Sequence, residues 1–274
     1  MKSLSPISKF CPSRGMLLFQ MSCVLMLSGL CGLCFGEDAE NDLMQSAVQA
    51  SARGDHEQAI GLFTEVIAKN PKQSMAFYRR GCENFRAGKI KESVSDLDKH
   101  VELDPKAESR QWERGISYYY AGQFEKGAKQ FELYQTFHDQ DVENSTWRYL
   151  CVARSEGVAK ARENLLPISD DRRVPMMQIY DLYRGKLKPT DVLEAAEAGE
   201  PSKAALNQQL FYAHLYIGLW HEAAGEKELA KKHILQAEQH KIGHYMWDVA
   251  HVHADLLRAQ DKKDEKPQKE PKKD

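Results

Sequence analysis

The sequence predicts an all-α solenoid of stacked helix hairpins. Three ladders of residues share one period. Gly54, Gly88 and Gly122 stand 34 residues apart, and so do Gly81 and Gly115, and Pro71 and Pro105. A period of that length is one helix–turn–helix unit, and such units bury their apolar faces only by stacking on one another. No alternating run of β-branched residues is long enough to predict a strand.

The ladders place repeats at about 40–73, 74–107 and 108–141. Gly54-Asp55, Gly88-Lys89 and Gly122-Gln123 fall in the turn between helix A and helix B, where the chain must take positive φ without a Cβ clash. Helix B of repeat one carries Ala59, Phe63 and Val66 on one face; Ser93, Leu97 and His100 hold those places in repeat two, and Gly127, Phe131 and Tyr134 in repeat three. Pro71 and Pro105 close helix B, because proline lacks the N–H a helix needs. The small residues Ala47, Gly81 and Gly115 let helix B cross close to helix A. Ser46 stands where a leucine is usual, and Asp139 where repeat three would have its proline.

This pattern resembles the tetratricopeptide repeat family. The resemblance implies a concave face on which inward positions of helix A touch a partner. Those positions are Tyr78, Cys82, Phe85 and Arg86 in repeat two, and Trp112, Ile116, Tyr119 and Tyr120 in repeat three. Repeat one offers Met44, Val48 and Ser51. The lysine–asparagine clamp with which some members hold a terminal carboxylate is missing, since Tyr78 and Cys82 take two of its places. From this set Tyr78, Phe85, Arg86, Trp112, Tyr119 and Tyr120 are the expected protein-binding groove, because aromatic rings bury much area at low entropic cost.

The middle, 142–206, breaks the period but keeps helical patterning. One helix is expected around Trp147–Arg154, a short one over Val158–Leu166 before Pro167, and a third over Met176–Arg184 before Gly185. A fourth is N-capped by Thr190 or Asp191 and runs through Ala198. A late repeat follows at about 207–244. There Gly225, Ala230, Ile234 and Ala237 keep the offsets of Gly54, Ala59, Phe63 and Val66. Its helix A is expected over Gln209–Ala224, and a capping helix over Tyr245–Ala259 closes the stack.

Both ends lie outside this solenoid, taken as 37–260. Residues 1–36 have the layout of a signal peptide. Lys2, Lys9 and Arg14 come without an acid, Met16–Phe35 is uncharged and apolar, and Glu37-Asp38 follow. Cleavage is expected after Gly36, which makes the mature protein periplasmic or secreted. An uncleaved leader would be just long enough to anchor the chain in a membrane. The stretch 261–274 alternates Lys, Asp and Glu and cannot bury enough surface to order itself. Net charge is −2, so no basic surplus points to nucleic acid. Four of the six cysteines lie in the leader; Cys82 and Cys151 fall in units too far apart for a bridge and are expected as separate thiols.

Seven of the ten histidines lie between His214 and His253, which raises a metal-dependent enzyme as the rival reading. The spacings do not converge. His251 and His253 point to different sides of a helix, and a turn separates His240 from His244. His56-Glu57 and His221-Glu222 lack the second histidine of a metalloprotease motif, and neither a phosphate loop nor a nucleophile elbow is present in the mature chain. No cofactor and no catalysis are expected.

The order of the irregular parts is similar to that of the NlpI-type periplasmic lipoproteins. Trp147-Arg148-Tyr149-Leu150, the Tyr183-Arg184-Gly185 turn, and Phe211-Tyr212 leading to Gly225-Glu226 carry this likeness over about 40–258. It implies an envelope adaptor that dimerises and presents client proteins to a protease. Cys23, Cys31 and Cys34 do not fit the lipid-attachment pattern, so the resemblance stops short of the anchor. The sequence thus predicts an exported scaffold or adaptor for a protein or peptide partner. A self-assembling structural protein is a further alternative.

Overall fold

The computed structural model describes residues 27–264, and among them no strand occurs. They fall into two units divided after Asp42. The described part of the first is the opening of helix α1 (Leu27–Ala52). The leader expected over 1–36 lies outside the described residues up to residue 26, and its last part is helical. No described helix is long and apolar enough to cross a membrane. The account below concerns the second unit.

The expected 34-residue hairpins are present. The end of α1 pairs with α2 (His56–Lys69), α3 (Ser74–Arg86) with α4 (Ile90–Leu103), and α5 (Trp112–Tyr120) with α6 (Phe124–Tyr134). The same turn closes each. Gly54, Gly88 and Gly122 have φ of 76°, 71° and 71°, and Gly225 in the late repeat has 81°. The N–H just beyond each glycine reaches back five residues. Asp55 bonds Ala50 O at 3.0 Å, Lys89 bonds Asn84 O at 2.8 Å, Gln123 bonds Tyr118 O at 2.8 Å and Glu226 bonds His221 O at 2.9 Å. This closure satisfies helix-end carbonyls that would otherwise lack partners.

Helix crossing follows from the small residues. A Cβ on Gly81 would lie 2.9 Å from Leu97, and one on Gly115 would lie 2.7 Å from Phe131. Gly218 holds the same place in the late repeat, 2.9 Å from Ile234. The helix-B positions expected at the core are buried in all four hairpins. Repeat two fills them with polar groups that find partners: Ser93 Oγ meets Ser117 Oγ at 2.9 Å, and His100 Nδ1 meets Ser74 Oγ at 2.6 Å.

Several boundaries differ from expectation. Pro105 begins a 3₁₀ turn, Pro105–Arg110, that delays α5 until Trp112; proline at the first position of a turn has no N–H to leave unpaired. Helix α7 spans Val142–Glu156, and α8 stops at Glu163 rather than Leu166. Helix α9 covers Met176–Tyr183. Helix α10 (Pro189–Glu197) is capped by neither Thr190 nor Asp191. Lys188 is the N-cap, and Asp191 acts from the first turn by accepting the Lys188 N–H at 2.7 Å. Helix α11 (Lys203–Ala223) starts earlier than expected, capped by Ser202, whose Oγ accepts the Ala205 N–H at 3.3 Å. Helix α12 spans Lys227–Gln239, and α13 runs from Tyr245 to Asp264, past the expected end at Ala259. The charged tail expected from 261 is therefore helical as far as 264, and its remainder lies outside the described residues.

One hydrophobic core runs from repeat two through the middle to α13, and Trp147, Tyr149, Tyr183, Phe211 and Tyr216 are among its fully buried side chains. Cys82 and Cys151 are separate buried thiols. The Gly218 contact is the least forgiving of the small-residue crossings, because an added Cβ would also lie 3.1 Å from the Ile234 backbone nitrogen. Gly218→Ala is expected to destabilise the fold by about 1–3 kcal/mol, read as a lower denaturation midpoint at unchanged slope.

Candidate binding surface and cavity

Of the six expected groove residues, Phe85, Arg86, Trp112 and Tyr120 meet the chain's own last helix, while Tyr78 and Tyr119 bond other elements. Arg86 Nε donates to Asp248 Oδ2 at 2.7 Å, and its guanidinium lies 4.9 Å from the centre of the Tyr245 ring. Phe85 is wholly buried between Tyr120 and Tyr245, at ring separations of 5.4 and 5.6 Å. Trp112 meets the Tyr245 ring edge-on at 5.3 Å and stacks on His244 at 6.2 Å. Tyr120 OH bonds His253 Nδ1 at 2.9 Å, and Tyr119 OH donates to Glu222 Oε2 of α11 at 3.2 Å. Tyr78 OH donates to the buried Glu113 at 2.6 Å. At Phe85, Arg86, Trp112 and Tyr120 the groove is filled by α13 rather than open to a partner segment. Tyr245, Asp248 and His253 supply the ring and charge complements a partner would have brought. Helix α13 is more than an end cap, because Tyr245, Asp248 and His253 face inward onto repeats two and three.

Beside this covered face lies a cavity of about 240 Å³. Trp112, Phe131, Tyr134 and Trp147 give it aromatic walls, Asp141, Glu143 and Arg173 give it charge, and His138, Asn144, His244 and Met246 complete the lining. Sequence reading found only Trp112 among these as a binding residue. The others come from separate elements, and Arg173 ties them together. It donates to Asp141 at 2.7 Å, Glu143 at 2.5 Å and Asp171 at 2.6 Å. Tyr216 OH donates to the other oxygen of Glu143 at 2.7 Å.

Three carboxylates surround one guanidinium, so the cluster keeps an excess of negative charge. Burial, and then the charge of Asp141, push the Glu143 carboxyl up to about 7 despite Arg173. Asp171 is held below the usual range: burial works against its charge, and the Arg173 bonds outweigh it. Two buried polar atoms of lining residues have no partner, Asn144 Oδ1 and Trp147 Nε1.

The C-terminal histidines do not converge as a metal site. His240 and His244 part company, His240 lying near His214 at a ring separation of 5.9 Å and His244 against Trp112. His214, His233 and His221 form a ladder between α11 and α12, with His214 and His233 Nδ1 atoms 2.9 Å apart and the His221 and His233 rings stacked at 5.7 Å. Three potential metal donors do meet at Glu238, His251 and Asp255. There Arg258 already bonds both oxygens of the Glu238 carboxylate, and a guanidinium repels a cation.

Burial, and then neighbouring histidine charge, push His214 and His233 down to about 4. An unfolded histidine takes its proton near pH 6.5, so between about 6.5 and 4 the unfolded chain binds more protons and stability falls as pH falls. Melting temperature is expected to drop by several degrees over that interval, and His233→Gln to flatten the slope. Parallel melting curves for the two proteins between pH 4 and 8 would remove the ladder from the explanation.

No family model matches the chain. Among solved structures it is similar to MamA, with TM-score 0.45 and 14% identity over 74% of this chain and 92% of that one. It is similar to YrrB, described as a TPR protein with an unusual peptide-binding site, with TM-score 0.41 and 13% identity over 81% and 90%. A tetratricopeptide repeat protein from Parabacteroides merdae gives TM-score 0.45 and 14% identity over 81% and 99%. The likeness of the hairpins to tetratricopeptide units rests on this chain's own 34-residue period, its recurrent turn bonds and its repeated small-residue crossings.

Proposed function

We propose that this chain is a protein-binding scaffold that meets its partner beside the groove, at the mouth of the cavity between repeat three and the start of α13. The observation that carries this reading is the covered inner face. With Phe85, Arg86 and Tyr120 engaged by α13, the accessible aromatic surface shifts to the Trp112 side. Phe137 stands there 51% exposed, with its ring 5.8 Å from that of Tyr134, a cavity-lining residue. An exposed ring next to a concave aromatic pocket is the usual form of an interface anchor.

A photo-crosslinking side chain at position 137, carried in the cells that make the protein, is expected to join it to a partner chain. The same group at Glu65, exposed on helix α2, serves as the control and is expected to stay unlinked. Equal yields at the two positions, or none at 137, would overturn the assignment.

Export and an envelope-adaptor role belong to the same proposal. The basic, then apolar, then acidic order of residues 1–38 supports export. The likeness to NlpI-type proteins supports the adaptor role and a homodimer. Mass spectrometry of the protein from its own cells is expected to find a mature chain beginning at Glu37; a chain retaining the leader would replace cleavage with anchoring.

A further inference from the structure

We infer that the histidine ladder between α11 and α12 is an acid-operated latch, which seats the α12–α13 hairpin at neutral pH and frees it when acid charges the ladder. The latch stands on its own geometry; what it regulates rests on the proposed partner surface.

Two seven-residue spacings build the ladder. His214 and His221 are two helical turns apart on α11, and His233 and His240 have the same spacing on α12 and its C-cap. Because α11 and α12 form a hairpin, the four rings interleave as one column. His240 stacks on His214 at 5.9 Å, His214 meets His233, and His233 stacks on His221 at 5.7 Å. At the centre the two Nδ1 atoms lie 2.9 Å apart, on residues each 8% exposed. A contact of that length holds one proton, with one ring donating and the other accepting. A first added proton leaves this bond in place. A second sets N–H against N–H between two like charges.

Little around the pair offsets that charge. Glu226, in the turn before α12, bonds His221 Nδ1 at one end of the column, and Asn207 Oδ1 meets His240 Nδ1 at the other at 3.1 Å. The charges acting on His214 are those of His233, His240 and Lys232, and on His233 those of His221 and Lys232. All are positive when charged, and none comes from α10 or α13.

The hairpin beyond the latch is tied by pairs that acid disturbs less. Arg258 of α13 bonds both oxygens of Glu238 on α12 and holds that carboxyl below its usual range. His251 Nδ1 lies 2.8 Å from the same carboxylate, a contact that charging strengthens. Lys231 of α12 bonds Asp261 at 2.6 Å, and Trp247 Nε1 donates to the Glu238 carbonyl at 3.0 Å. Acid therefore weakens α11 against α12 before α12 against α13, and the two helices leave together. Trp112 then loses Tyr245, and the cavity loses His244 and Met246. The proposed partner surface is thus complete at neutral pH and dismantled in acid. Competing titrating groups are His244, which faces Arg173, Asp248 and Asp141, and His253, which faces Glu222 and Arg154.

Amide hydrogen exchange of the full chain, read by mass spectrometry from about pH 7.5 to 4.5 and corrected for the pH dependence of the exchange chemistry, tests this. A histidine neutral when seated and charged when released raises the open population by up to about tenfold per pH unit. Exchange over 227–264 is expected to rise about 10- to 100-fold per unit below about pH 6, while 74–103 and 142–156 stay protected. His233→Gln is expected to halve that slope on a logarithmic scale, whereas His244→Gln and His253→Gln leave it unchanged.

Loss of protection over the whole chain at once, unchanged protection of 227–264 across the range, or a slope flattened by His244→Gln or His253→Gln but not by His233→Gln would each overturn the latch. If His233→Gln does not fold, the order in which the unaltered protein's helices lose protection decides. A working latch with no crosslink from position 137 at any pH would reject the partner surface and keep the latch. Crosslinks from 137 that persist while 227–264 exchanges freely would overturn its regulatory consequence.

Discussion

The structure depends on the contact of helix α13 with the inner face of repeats two and three. Its hub is Arg86. One side of the guanidinium bonds Asp248 of α13, and the other bonds Glu83 at 2.5 Å. Glu83 is 2% exposed and also takes Ser51 Oγ and His56 Nδ1, both at 2.7 Å, from repeat one. A carboxylate that deep persists only with every lone pair occupied. These bonds therefore link repeat one, repeat two and the C-terminal helix into one polar chain. Tyr245 then packs against Phe85 and Trp112 beside it, in geometries that add to the area they bury.

Arg173 plays the matching part at the other end of the same face. It reaches from the loop before α9 to the start of α7, and through Glu143 to Tyr216 on α11. Tyr183 OH donates to the Tyr216 carbonyl at 2.9 Å, so the chain of contacts continues into the middle of the core. Because these carboxylates are shared by one guanidinium, the region is rigid in its bonds yet unbalanced in its charge. The cavity lies where the aromatic layer of repeat three meets this unbalanced cluster.

Much of this was legible in the sequence. The glycine ladder marks four turns of one geometry, because a residue at positive φ in a tight helix exit leaves few choices besides glycine. Ala59, Phe63 and Val66 and their counterparts were legible because a 3.6-residue period writes a buried face directly into the chain. Gly218 could have been read from the same offset that identified Gly225. The destination of α13 was not legible. Its apolar stripe says that one face is covered, and nothing in a single helix says by which surface. The cavity was hidden for a related reason: Trp112, Glu143, Arg173 and His244 meet only after two helices and two connecting segments have packed. The 3₁₀ turn after Pro105 and the Lys188 cap were lost to local hydrogen bonds that any of several neighbouring residues could have made.

A self-occupied groove changes where a partner can act. Helix α13 follows α12 after a link of only a few residues, His240–His244, so it meets the inner face as an intramolecular ligand. Short connections of that kind give effective concentrations on the order of millimolar, and a competing segment must overcome this before it gains any contact of its own. It must also leave Glu83 with Arg86 still in place, since an unpaired carboxylate at that depth costs several kcal/mol. Neither demand applies to the cavity beside Trp112. A partner that enters there keeps α13 seated and uses the walls that seating creates. On the proposed reading, the C-terminal helix contributes to recognition by completing a pocket rather than by vacating a groove.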